Sequence, residues 1–231
     1  MKKLRTPFVM NELGPLRGEF LLIYELLHFF GRAICHQIED RSLLASGKTL
    51  SVCARDTGIY LGILSSFTYL FLFKRNQIIT IPTIKVSFLL LLFMVPMMID
   101  GLGSYTHLFE SNNERRLLTG LGFGFVLPYF MFPLIFGNAL DPRSKPVIKN
   151  TLDIIIPLIF CSLLGSLVYW NYITYYIIDS LIIFTIVIWF SLWTSLLFLS
   201  LRYRFIKWSL SIITSLAFLT ILSWLHDYLL S

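Results

Sequence analysis

The sequence predicts an all-α protein, a polytopic bundle of about seven transmembrane helices with its N-terminus in the cytoplasm and its C-terminus outside. Three observations predict it. Of 231 residues, 56% are hydrophobic and only 14% are charged, whereas a soluble domain carries about a quarter charged residues; mean hydropathy is +0.75. Seven segments are long and apolar enough to cross a hydrocarbon core about 30 Å thick, which takes roughly 20 residues of helix. Lysine and arginine gather in alternate connecting segments, the pattern the positive-inside rule gives a multi-pass protein of the cell membrane. The net charge of +6 therefore reports orientation, and no basic patch interleaved with aromatics points to nucleic acid.

The chain opens MKKLRTPFVMNELGPLRGEF, a basic head with no short apolar run closing on a small-residue cleavage site. Residues 1–17 thus read as a retained cytoplasmic terminus. Span one, 18–37, is the least apolar, interrupted by Glu19, Glu25, His28 and Arg32. Spans at 51–73, 81–100 and 117–137 complete a motif-bearing four-helix half over 18–137. Spans at 152–174, 179–201 and 206–229, rich in Ile, Leu, Phe and Trp, form a three-helix scaffold half over 150–231 of what reads as a single membrane domain. Basic residues follow span two (Lys74, Arg75), span four (Arg143, Lys145, Lys149) and span six (Arg202, Arg204, Lys207), which places all three loops with the N-terminus inside.

With that orientation the chemically capable residues fall in one outer layer. Cys35 and His36 close span one, Cys53 to Asp56 open span two, Asp100 closes span three, and Asn113 and Arg116 precede span four. Cys53 and Asp56, three apart, share one helical face. With Cys35 or His36 from the neighbouring helix they make a donor set for zinc or another divalent metal, which accepts sulfur, nitrogen and oxygen together. The same spacing admits a Cys35–Cys53 disulfide on the oxidising side of the membrane; both readings make the two cysteines neighbours. His36 joins the set only if the helix ends at Cys35. Arg41, Arg55 and Arg116 offer guanidinium forks to an anionic head group, or else offset the acids around them, as Arg115 does. Asp100 reads as a helix-ending carboxylate before a turn glycine, or as a base or further ligand beside a metal. Glu25, His28, Arg32 and Cys35 form a polar stripe down span one, and His226 and Asp227 end span seven on the same side. Gly58 and Gly62, and Gly120 and Gly124, lie four apart, as in closely packed membrane helices.

The stretches CHQIEDRS, VCARDTGIYLG, DG at 100–101 and SNNERRLLTG at 111–120 together resemble the prokaryotic integral-membrane family called domain of unknown function 2085, over about residues 20–137. The family pattern is met at Cys35, His36, Gln37, Arg41 and Ser42, at Cys53, Ala54, Arg55 and Thr57 to Tyr60, and at Asp100, Gly101, Asn113, Arg116, Thr119 and Gly120. It is broken at Asp56, where the family's Cys-Ala-Arg-Cys has its second cysteine. A carboxylate serves zinc but cannot form a disulfide, so the resemblance favours a metal; it implies no reaction.

The expected function is that of a membrane metalloprotein with zinc or another divalent ion on its outer side, held by Cys35, His36, Cys53 and Asp56. Asp100, Arg41, Arg55 and Arg116 are the expected catalytic groups, and hydrolysis or group transfer on a membrane lipid or lipid-linked substrate is the expected reaction class. Two readings compete with it: an ion or small-solute transporter using the charged stripe of span one, and a non-catalytic scaffold stapled by a metal or a disulfide.

Overall fold

Inside lipid a backbone polar group must find its partner within its own helix or be buried in protein, and this chain does both. The computed structural model describes residues 16–137, 141–199, 201 and 203–230; residues 1–15, most of the expected cytoplasmic terminus, lie outside the described residues. In chain order the elements are α1 (Leu16–Arg32), β1 (Ser42–Ala45), β2 (Lys48–Cys53), α2 (Ala54–Lys74), β3 (Ile79–Thr80), α3 (Ile84–Leu92), α4 (Val95–Tyr105), α5 (Asn113–Phe136), β4 (Lys145–Pro146), α6 (Leu152–Tyr169), α7 (Tyr175–Leu197) and α8 (Arg204–Leu230). Among the described residues, six spans are long and apolar enough to cross a membrane, with α3 and α4 making one broken span over Ile84–Tyr105. Pro96 accounts for the break. It has no N–H for the carbonyl of Leu92 and its ring crowds that oxygen, so α3 stops at Leu92 and helix resumes at Val95. α1, the seventh helix, packs against α7, α8 and β2.

The bundle is built around α2 and α5. The two glycine pairs face each other: a Cβ on Gly58 would strike the carbonyl of Leu117, and one on Gly124 the carbonyl of Ile59. Gly62 likewise abuts the backbone of Leu121 and Phe125, and Gly120 that of Arg55. Backbone-to-backbone approach of this kind supplies the dispersion contacts that hold membrane helices together where lipid offers no hydrophobic drive. Leu61, Phe125, Tyr129 and Phe132 fill the seam with at most 1% exposure, and α6 and α7 close on α2 from the sides.

The connection between α1 and α2 departs from the expected helix–loop–helix. Span one is expected to run to residue 37, but helix ends at Arg32. Gly31 lies so close to Ser51 that a side chain has no room, and a turn bond from Cys35 N to Gly31 O (3.0 Å) closes the helix. Gln37 then adopts a left-handed backbone (φ 52). Its amide donates to His28 O at 2.8 Å and Ser51 O at 2.9 Å, tying the end of α1 to β2. After the short 3-10 turn Glu39–Arg41, β1 and β2 pair antiparallel. The turn between them puts Ser46 and Gly47 at positive φ (49 and 76), the geometry a two-residue turn needs to follow the strand twist. Leu50, Ser51 and Val52 are buried, so the second half of β2 lies within protein while the turn is exposed. Span two is expected from residue 51, but residues 51–53 are strand and helix begins at Ala54.

The other end of the bundle is stapled differently. Lys74 and Asp153 form a buried ion pair at 2.9 Å. Asp153 also accepts from Tyr69 Oη at 2.8 Å and from the backbone N–H groups of Lys149 and Asn150 at 2.8 and 3.2 Å. Beside it, β3 and β4 pair in parallel, Ile79 with Lys145 and Thr80 with Pro146.

Candidate metal centre

Three local structures meet at the hairpin end to bring two sulfurs and a carboxylate together. Cys35 lies in the turn after α1 and is buried; Cys53 ends β2 and caps the start of α2; Asp56 sits in the first turn of α2. One ligand atom from each lies within 4.8 Å of the other two. Donors about 2.0–2.3 Å from one tetrahedral zinc stand roughly 3.5 Å apart, a separation that lies inside the 4.8 Å bound on this trio. Cys35 Sγ accepts from Cys53 N at 3.2 Å, and Cys53 Sγ lies 3.2 Å from Asp56 Oδ2. The cysteines are free thiols, neighbours as both the metal and the disulfide readings require. Cys53 and Asp56 thus meet across a helix N-terminus rather than along a helical face.

The electrostatics separate the two thiols. The hydrogen bond between them, together with burial, pushes Cys35 well above the usual thiol range. The same bond holds Cys53 below it, and the positive end of the α2 dipole favours a thiolate there. Cys53 is therefore the first sulfur to deprotonate.

His36 is not among the converging donors. It is exposed, and its ring meets that of His226 edge-on at 5.3 Å, although it remains within electrostatic reach of Asp56. Both His226 nitrogens are buried without a partner, and the adjacent Asp227 pairs with Arg32. The end of α8 thus joins this layer.

Asp100 is fully buried and belongs to a neighbouring cluster. Arg55 Nη2 reaches Oδ2 at 2.6 Å, Arg115 Nε reaches Oδ1 at 3.0 Å, and Ser111 Oγ donates to Oδ1 at 2.6 Å. Both carboxylate oxygens are occupied, and Arg115, expected only to offset acids, is one of the two cations that occupy them. Arg116 donates to Asn113 Oδ1 at 3.1 Å, and Asn113 Nδ2 donates to the carbonyls of Asp40 and Ser42 at 3.1 and 3.3 Å, pinning α5 to the hairpin. Arg116 feels the charges of Arg41, Arg55, Asp100 and Cys53, so the three arginines lie within electrostatic reach of one another. Arg41 is exposed, while Arg55 and Arg116 are half-buried.

Residues 35–130 match the family of predicted membrane proteins called domain of unknown function 2085. The chain is 35% identical over 124 residues to an uncharacterised protein of Methanocaldococcus jannaschii, spanning 54% of this chain and 78% of that protein. It is 39% identical over 93 residues to an uncharacterised protein of Methanothermobacter thermautotrophicus, spanning 40% of this chain and 79% of that one. The chain belongs to this family. It is accordingly a multi-pass membrane protein, and the family segment runs from Cys35 through the hairpin and α2 into α5, enclosing the trio and the Asp100 cluster. No solved structure matches the chain.

One buried acid outside that segment had no sequence signal. Asp179 of α7 is fully buried and accepts from Ser51 N and Ser51 Oγ at 3.1 and 2.7 Å, 128 residues away in the chain. It clamps β2, and so the Cys53 cap, from the scaffold half.

Proposed function

We propose that the protein is a membrane metalloprotein that holds one zinc-type divalent ion on Cys35, Cys53 and Asp56 and hydrolyses, or transfers a group on, an anionic lipid or lipid-linked substrate. The observation that carries this reading is the convergence of two sulfurs and one carboxylate oxygen within 4.8 Å. Three protein donors leave a tetrahedral ion one position for water or substrate, as catalytic zinc sites do; the ion supplies Lewis-acid polarisation or an acidified water. The chain's own residues do the rest. Arg41 and Arg116 orient an anionic group, while Asp100, occupied by two guanidiniums, positions Arg55 instead of moving a proton. His36, within electrostatic reach of Asp56, and His226, whose ring meets it, are the natural proton carriers. Lys74, Arg75, Arg143, Lys145, Lys149, Arg204 and Lys207 in connections at the Lys74 end support reading that end as the inner face and the hairpin end as the outer one.

A second reading has its own support: Cys35 and Cys53 bracket the hairpin and Arg55–Asp100 ties α2 to α4, so an ion with four protein ligands would serve as a staple. Elemental analysis of detergent-purified protein after equilibration with zinc tests the metal. One equivalent in the wild type, lost in Cys53→Ala and in Asp56→Ala, is expected. No bound metal together with a Cys35–Cys53 cross-link under non-reducing conditions would overturn the reading.

A further inference from the structure

We infer that a membrane lipid with a phosphate-bearing head group seats in a lateral groove between α3–α4, α5 and α6, its chain at membrane depth and its phosphate at Arg115. The inference rests on the lipid-directed part of the function proposed above and not on its metal.

The groove encloses about 740 Å³, within the roughly 300–1,000 Å³ of ordinary ligand pockets. Leu117, Leu121 and Cys161 form its buried floor, with Leu92 and Phe93 on the facing wall. Gly122 and Gly165 keep it open: a Cβ on Gly122 would come within 3.3 Å of the Phe93 carbonyl, and Gly165 makes room for the Leu121 side chain. All of its walls belong to segments long and apolar enough to cross the membrane, so what enters from the side comes from the bilayer.

Two of its hydroxyls are already satisfied at home. Ser166 Oγ donates to Ser162 O at 2.8 Å and Thr119 Oγ1 to Arg115 O at 2.8 Å, as serine and threonine do along their own helix. The surface offered is effectively hydrocarbon, which suits a lipid chain and not a polar solute.

The mouth has the opposite character. Tyr169 and Trp170 are exposed there, the residue types that mark head-group level. One turn along each helix, about 6 Å, the lining residue Thr119 leads to Arg115 on α5, next to lining Glu114, and Pro96 leads to Asp100 on α4. Arg115 is held by Asp100 through Nε at 3.0 Å, lies over the Phe109 ring at 4.3 Å, and has a side chain 46% exposed. A guanidinium has five donors, so one held in this way presents its outer edge to a phosphate at a fixed height above the groove. Glu114, exposed at the same mouth, suits an amine or hydroxyl on that head group. The site therefore has an apolar slot, an interfacial rim and a preoriented cation in sequence along one axis, the order of parts in a phospholipid.

The test uses the full-length protein in vesicles containing phosphatidylglycerol with a diazirine at mid-chain, and cross-links are mapped by mass spectrometry. Cross-links concentrated on Leu118, Leu158 and Ser162 are expected. Ser162→Trp, which fills the slot from an exposed position, should abolish them without moving the thermal unfolding midpoint. Arg115→Gln should weaken the preference for the phospholipid over a diacylglycerol bearing the same diazirine by about tenfold. Millimolar inorganic phosphate should not compete. Cross-links spread evenly over all lipid-facing helices, or protein–protein cross-links through the groove showing a second copy seated there, would overturn the inference. Cys53→Ala separates the two proposals: groove labelling that persists in this variant while no metal is found in the wild type would sink the metal and leave the lipid.

Discussion

The two ends of the bundle each bury an acid against a cation, and they do it in opposite ways. At the Lys74 end, Asp153 is closed on every side: the ammonium, the Tyr69 hydroxyl and two backbone N–H groups take its oxygens, and both partners of the ion pair are less than a tenth exposed. At the hairpin end, Asp100 is equally buried, but its cations Arg55 and Arg115 are 22% and 46% exposed. Beside them stand two unjoined thiols and a carboxylate that makes no ion pair among the described residues. A fully satisfied buried pair mainly specifies structure, whereas two thiols and a carboxylate that bond chiefly to one another offer the donor set that the proposed metal would use. Similar ingredients thus give a rivet at one end and, in the function proposed above, a receptor at the other.

The sharpest way to break that comparison is to treat the rivet as a site. Lys74→Ala leaves a carboxylate buried without its cation and should lower stability by about 3–5 kcal/mol, seen as a large fall in the unfolding midpoint in detergent, with metal stoichiometry at the other end unchanged. A loss of metal with little loss of stability would reverse the assignment of roles. Gly124→Ala comes next. Its methyl meets the Ile59 carbonyl, and overpacking of this kind costs about 1–3 kcal/mol; an unaltered midpoint would mean that α2 and α5 are not in backbone contact.

Thiol reactivity sharpens the receptor side. Cys53 is depressed and Cys35 raised, so the Cys53 thiolate is present at lower pH while Cys35 stays protonated through the neutral range. Iodoacetamide should therefore modify Cys53 first, at a rate that levels off at lower pH than for an ordinary thiol, and added zinc should protect it. Faster labelling of Cys35 would contradict the electrostatic order. The smallest effect is expected at exposed Arg41: Arg41→Gln should leave the midpoint within about 0.5 kcal/mol while weakening the retention of anionic lipid.

The bundle is legible in the sequence because lipid leaves a chain few choices: apolar runs of span length become helices, and paired glycines four apart report where two of them touch. The layer of Cys35, Cys53 and Asp56 is legible for a related reason, since residues at the same end of successive spans share one depth. The hairpin is not so plain. Its buried strand continues the hydrophobic character of α2, although Ser46-Gly47 between LLA and KTLSV is a two-residue turn signal that periodicity alone hides. Contacts across the fold carry no spacing at all. Asp179 with Ser51, Lys74 with Asp153 and Arg32 with Asp227 each join the expected scaffold half to the motif half, and nothing local in the chain announces them. His36, adjacent to Cys35 in sequence, is carried to His226 because the chain has left the helix by that point and the two side chains diverge.

In the proposed site Asp56 takes the place of a third ligand beside Cys35 and Cys53. X-ray absorption at the zinc edge, on purified protein loaded with one equivalent, tests this most directly in the wild type and in Asp56→Cys. The account predicts two sulfur and two lighter scatterers in the wild type, rising to three sulfurs and one lighter atom in the variant, with metal retained in both. An unchanged sulfur count in Asp56→Cys, or no zinc retained by either protein, would contradict it.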